Sequence, residues 1–234
     1  MAMLPLDDAE PSRYSHFPFM TVAIIWLNVL IMGFEFGVLQ NNLAGFRELL
    51  QLFGAIPSLI SARAGGGALS SIIAMFLHGG LLHLSGNMLA LWVFGRRVED
   101  ACGPWRFLFF YLICGMGANI VHFLAEPNSS APVIGATGAV AGVMGAYILL
   151  FPKGRIRAIA FLSFAPAWPC IRAFWVVGYF LLFNLLLPTL DALFNKADYT
   201  AALWAHLGGF LACFSVFLFL RSEAFQRYFS KAPV

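Results

Sequence analysis

The chain has 234 residues, of which 61% are hydrophobic and 11% charged, with a formal net charge of +3 and a mean hydropathy of +0.82. These values lie outside the range of soluble globular domains, and the basic residues gather beside apolar segments, not in the stripe that nucleic-acid binding needs. Cys102, Cys114, Cys170 and Cys213 are scattered without CxxC spacing, which suggests neither a disulfide frame nor a metal site.

Residues 1–16 carry Asp7, Asp8 and Glu10 and lack a basic stretch followed by a short apolar core, so they read as a cytoplasmic tail without a cleavable signal peptide. Six apolar segments follow, over residues 17–38, 83–95, 105–125, 135–151, 174–190 and 200–220, each bounded by charge or by Gly and Pro. Several are short for a bilayer. A short helix spans only where one end stops below the surface, which leaves room for a water-filled cavity there. Residues 39–82 mix apolar runs with Gly65-Gly66-Gly67 and read as a long interfacial loop between the first and second spans. Residues 222–234 read as a second cytoplasmic tail. No internal repeat or soluble appendage is visible, and the expectation is an all-α membrane protein with one six-helix domain over residues 17–221.

Orientation follows from Lys and Arg. Arg13, Arg96, Arg97, Arg106, Lys153, Arg155, Arg157, Arg172, Arg221, Arg227 and Lys231 fall on one side, against Arg47, Arg63 and Lys196 on the other. The positive-inside rule then puts both termini in the cytoplasm.

Three polar stretches interrupt the apolar pattern: His78 to Asn87, Gly135 to Gly138, and Ala205 to Gly209. Spans two, four and six run in the same direction, so His83, Thr137 and His206 all fall near outer helix ends. At about 1.5 Å per residue they lie roughly 20 to 22 Å from the inner-side residues Arg96, Phe151 and Arg221 of the same spans, or about 10 Å below the outer face of a core about 30 Å thick. Uncompensated polar groups at that depth are costly and point to a functional site.

The chemistry is narrowed by what is missing. No Asp or Glu lies in the middle of a span, which argues against a paired-carboxylate protease. No HExxH occurs, and His78 and His83, five residues apart, diverge by about 140° round a helix, so a zinc site is not expected. A hydroxyl nucleophile with an imidazole base remains, Thr137 with His206. His83 and Asn87, four residues apart, share a face and can donate toward an anion forming beside Thr137. Gly138, Gly142 and Gly145 on one helix, and Ala205 and Gly209 on another, would let the two backbones approach closely. A channel or transporter fits less well, because the polar residues cluster on one side of the bilayer. His122, near the outer end of its span, reads as an ordinary interfacial side chain.

These residues resemble the rhomboid family of intramembrane serine proteases. HGGLLHLSGNMLALWVFG is similar to the family's second-span HxxxxHxxxN signature, GATG to its GxSG nucleophile motif, and AHLGG to its AHxxG motif. RRVEDACGPWRFLFFYL and GAVAGVMGAYILLFP also resemble bacterial members. The resemblance implies cleavage of transmembrane-helix substrates without metal or cofactor, in a lipid bilayer and most simply in a bacterial inner membrane. It implies His206 as general base, Thr137 at the nucleophile position, His83 and Asn87 as the oxyanion pair, and a structural role for His78; Gly135, Gly138 and Gly209 match the motif glycines.

The chain departs from the family at one position that matters, since Thr137 stands where the family has Ser. Its extra methyl stiffens χ1 in a site built from glycines. A slow threonine enzyme, a member that binds transmembrane helices without cutting, and a serine protease altered at this position are all compatible with that residue.

Overall fold

The computed structural model describes residues 3–9, 12–15, 17–41, 43–62, 67–162, 165–167, 169–182 and 200–230. The apolar stretches are helical, as hydrocarbon requires of a segment that must satisfy its own backbone hydrogen bonds. Two described helices, α1 (Phe19–Asn41) and α7 (Pro104–Ala125), are each long and apolar enough to cross a bilayer unaided. Trp26, Leu30 and Phe34 form an exposed apolar stripe on α1, as Phe109, Ile113, Ile120 and Leu124 do on α7, the reverse of a water-soluble surface.

Residues 39–82, expected as a loop, are largely helical: the end of α1 is followed by α2 (Leu43–Phe53), α3 (Pro57–Ser61) and α4 (Ala68–Ala74). Next, α5 (Leu81–Ala90) continues through a π-helical stretch, Leu91–Gly95, into α6 (Arg96–Cys102). Gly103, at φ +89°, ends α6, and Pro104 opens α7. The central helix is α8 (Thr137–Leu150), 14 residues long and almost entirely buried. Of the expected fifth span, α9 (Ala173–Leu182) is described, and the rest of 174–190 lies outside the described residues. Finally α10 (Thr200–Ala212) runs into a 3-10 stretch, Cys213–Leu218, and the chain bends by 103° into α11 (Ser222–Phe229).

Mutual packing of α7, α8 and α10 forms the centre of the molecule. A side chain added to Gly209 would strike the Gly138 carbonyl, and one added to Gly142 would meet the Gly209 carbonyl at 2.8 Å. Small residues therefore set the α8–α10 spacing. Cys213, where a packing glycine would be common, is accommodated because Gly145 faces it: a Cβ there would lie 2.8 Å from the Cys213 Cβ.

The all-α expectation is corrected at the opposite end of α8 from Thr137. There β2 (Arg155–Leu162) pairs antiparallel with β1 (Met3–Asp8) on one edge and with β3 (Ala165–Ala167) and β4 (Cys170–Arg172) in line on the other. Arg155 and Arg157 face outward while Ile156 and Ala158 are buried, a period-2 pattern that suits a half-buried strand. Asp8 is buried, accepts a 2.7 Å hydrogen bond from Tyr147 Oη and lies 3.6 Å from Arg97 Nε, and Arg96 pairs with Asp7. Buried carboxylates fix the following segment. Asp100 accepts the backbone N–H groups of Arg13, Tyr14 and Ser15 at 2.6, 2.9 and 2.6 Å. Glu99 takes those of Met20 and Thr21 at 2.8 and 2.7 Å, filling orphan donors at the start of α1. Met3–Asp8 and Arg13–Ser15 thus contribute a strand and a pinned connector.

Candidate functional site

Four polar side chains from three parts of the chain meet where α5 and α8 begin. His83 and Asn87, one helical turn apart on α5, both face Thr137, the first residue of α8. His83 Nε2 lies 2.7 Å from Thr137 Oγ1, and Asn87 Nδ2 donates to the same oxygen at 3.2 Å. Ala136 occupies the N-cap position and no side chain caps the helix, so the Thr137 hydroxyl serves α5 and not its own helix end. His83 is open to the outside and Asn87 is buried, which makes the site a mouth with a closed floor.

His78 forms the floor. It is fully buried in the turn ahead of α5, with its ring 5.1 Å from that of His83 in an edge-on arrangement. Its Nδ1 faces the Phe76 carbonyl at 3.3 Å and its Nε2 faces Asn87 Nδ2 at 3.3 Å. Burial, reinforced by His83, pushes its pKa down to about 4, so the ring is neutral and Nε2 can accept from Asn87 while Nδ1–H donates to Phe76. Asn87 then spends one N–H on His78 and the other on Thr137.

Behind His78 stands a residue that sequence reasoning passed over. Glu35 on α1 is buried, and both carboxylate oxygens lie 3.2 Å from the His78 backbone nitrogen. The signal was present, because an acidic side chain inside an apolar span demands a partner; its place near the end of the span hid it.

Gly135 and Gly138 hold the loop side of the site. Gly135 has φ +111°, a conformation that L side chains rarely adopt, and a Cβ there would crowd His83 Cε1 at 2.7 Å. Its N–H donates to the Ala74 carbonyl at 2.8 Å, and the preceding loop pairs with the α2–α3 segment through Ala55 and Val133. A Cβ on Gly138 would meet the Ala205 carbonyl at 3.3 Å, which places the residue beside His206 against the one after Thr137.

His206 is buried on α10, its ring centroid 6.5 Å from that of Phe180. The hydrogen bonds of the Thr137 hydroxyl go to His83 and Asn87, so the structure joins the expected nucleophile position to the expected oxyanion pair. His122, expected at the interface, is instead buried, because its face of α7 turns inward, and its ring nitrogens have no hydrogen-bond partner among the described residues.

Residues 66–223 match the rhomboid domain family. Among curated proteins, 108 residues are 38% identical to the rhomboid protease GluP of Bacillus subtilis, covering 46% of this chain and 20% of that protein. Seventy-seven residues are 38% identical to RHOMBOID-like protein 5 of Arabidopsis thaliana, covering 33% of this chain and 25% of that one. Ninety-three residues are 32% identical to the human mitochondrial presenilin-associated rhomboid-like protein, covering 39% and 24%. The matched stretch thus spans only about a fifth to a quarter of the length of these relatives.

Proposed function

The chain belongs to the rhomboid family of integral membrane proteins, and from that premise we propose that it is an intramembrane endopeptidase that cleaves transmembrane protein substrates with Thr137 and His206 as a hydroxyl–imidazole dyad. The observation that carries this reading is the close backbone approach of α8 and α10 at Gly138 and Gly209, which puts the helices bearing the two residues in contact at the level of the site. In the reaction His206 takes the hydroxyl proton, Oγ1 attacks a substrate carbonyl, and the proton passes on to the leaving amine. His83 and Asn87, which rest on Thr137 Oγ1 when no substrate is bound, donate to the oxyanion that forms beside it. Water then resolves the acyl-enzyme. Each step uses only side chains of this chain and needs no metal or cofactor.

The same proposal includes six spans, both termini in the cytoplasm and residence in a bacterial inner membrane, supported by the apolar helices and the placement of Lys and Arg. One observation favours a second reading, a binder of transmembrane helices that does not cut: the Thr137 hydroxyl is held by α5, and a nucleophile so held must turn to meet its base.

The deciding experiment is cleavage of a single-span reporter by the purified, reconstituted protein, comparing the chain as it stands, Thr137→Ser, and Thr137→Ser with His206→Ala. Cutting that requires His206 supports the protease, and cutting by the threonine form itself makes Thr137 a working nucleophile. Retained binding of the reporter with no cutting in any form supports the binder.

A further inference from the structure

The end of the molecule remote from Thr137 has a cavity of about 370 Å³ between the turn that opens α7 and the start of α11. It is lined by Cys102, Gly103, Trp105, Arg106, Arg221 and Glu223, among others. Both arginines are pre-positioned by main-chain oxygens: Arg106 Nη1 donates to the Leu220 carbonyl at 2.9 Å, and Arg221 Nε to the Asp100 carbonyl at 3.1 Å. Neither guanidinium takes part in an ion pair among the described residues. The Asp100 carboxylate is committed to three backbone N–H groups of residues 13–15, and Glu223, the acidic residue of the lining, accepts from Ser222 Oγ at 3.3 Å. Each arginine therefore keeps several N–H donors for a ligand. Trp105 and Arg106, which line the space, lie in the first turn of α7, where the helix dipole favours negative charge. Burial raises the pKa of Cys102 while both guanidiniums act to lower it, so their fields overlap at the cavity wall.

The surroundings identify the source of the anion. Trp105 at the cavity rim is exposed, and α11 turns 103° from the preceding rod with Phe225 and Phe229 exposed and Ala224 buried. A helix set across the bundle axis with outward aromatic residues suits the membrane–water boundary, where lipid phosphates lie. We infer that the cavity between the starts of α7 and α11 binds the phosphate headgroup of an anionic membrane lipid through Arg106 and Arg221. Basic pockets between membrane helices hold such headgroups by charge-assisted, fork-like hydrogen bonds.

The test uses the full chain in neutral detergent, stripped of lipid, with bound molecules counted by native mass spectrometry and unfolding followed by heat. Dioleoyl phosphatidylglycerol, dioleoyl phosphatidylcholine and glycerol 1-phosphate are added separately. Phosphatidylglycerol is expected to form a one-to-one complex and raise the melting temperature, with phosphatidylcholine and glycerol 1-phosphate far weaker. Arg106→Gln should weaken binding at least tenfold, Arg106→Lys should restore part of it, and Arg227→Gln, which removes a charge from α11 outside the cavity, should leave it unchanged. Full binding by Arg106→Gln, or equal loss with Arg227→Gln, overturns the site. Binding of glycerol 1-phosphate as tight as that of the lipid overturns the lipid assignment in favour of a soluble phosphate. If Arg221→Gln unfolds, the Arg106 series decides alone.

Discussion

His83 Nε2 lies 2.7 Å from Thr137 Oγ1, so the hydroxyl proposed as the nucleophile is joined to an imidazole of α5. That contact and the Asn87 bond beside it fix which way the threonine side chain turns. A β-branched residue has few χ1 alternatives, so its hydroxyl cannot swing toward α10 as freely as that of serine.

Thr137→Ser should therefore raise cleavage. A reacting atom misplaced by about 1 Å loses about a hundredfold in rate, and removing the methyl frees χ1 to bring the hydroxyl into line. The initial rate on a reconstituted single-span reporter measures it; a serine form no faster than the threonine form would show that the methyl does not misalign the hydroxyl.

Asn87→Ala should lower kcat more than it changes KM, with a loss of about 10² to 10³ as the upper bound for one oxyanion donor. Asn87 also holds His78 at 3.3 Å, so the melting temperature must be followed together with the rate. A rate loss that tracks unfolding, or an unchanged rate, removes Asn87 from transition-state stabilisation.

Glu35→Ala should destabilise the fold by about 1 to 3 kcal/mol, because the buried His78 N–H would be left without its acceptor. Glu35→Gln keeps a carbonyl oxygen and should be milder. Thermal unfolding in detergent gives both values, and an alanine variant as stable as the parent would mean that α1 does not anchor the floor of the site.

The geometry of the candidate site was partly legible in the chain where local spacing carries it. Asn87 follows His83 by one helical turn, so their shared face follows from helix geometry. The apposition of Gly138 with Gly209 follows from small residues at facing positions, the first turn of α8 and the last turns of α10. What was hidden depends on distant partners. The pairing of Met3–Asp8 with the strand after α8 joins segments about 150 residues apart, and only the alternation from Arg155 to Ala158 announced one of them. Nothing local marks Glu99 and Asp100 for burial, which is set by the N-terminal connector that folds over them. The described part of residues 39–82 is largely helical because its apolar runs, as in α2, carry a helical face as well as interfacial character.

His78 gives the site a pH dependence. Its pKa of about 4 in the folded protein lies below the unfolded value of about 6.5, so the unfolded chain binds more protons between those limits. The stability tied to the neutral ring is fully present above about pH 6.5 and is lost as pH falls toward 4. Melting temperatures from pH 7 to 4 should fall more steeply for the parent than for His78→Gln, which cannot titrate; parallel curves would remove His78 as the sensitive group.

Gly209→Ala tests the helix contact on which the proposed dyad depends. A methyl group there would overlap the Gly138 carbonyl, and a backbone atom cannot move aside as a flexible side chain can. Either α10 shifts away from α8, carrying His206 from Thr137, or the core accepts strain of about 1 to 3 kcal/mol. Gly37→Ala is the control, since a Cβ at that glycine meets nothing within 4 Å. In a Thr137→Ser background, Gly209→Ala should reduce cleavage by at least tenfold at a temperature where the protein is still folded, while Gly37→Ala should not. Full activity in the Gly209 variant would show that the α8–α10 spacing does not control the dyad, and loss of folding at all temperatures would assign the glycine to stability alone.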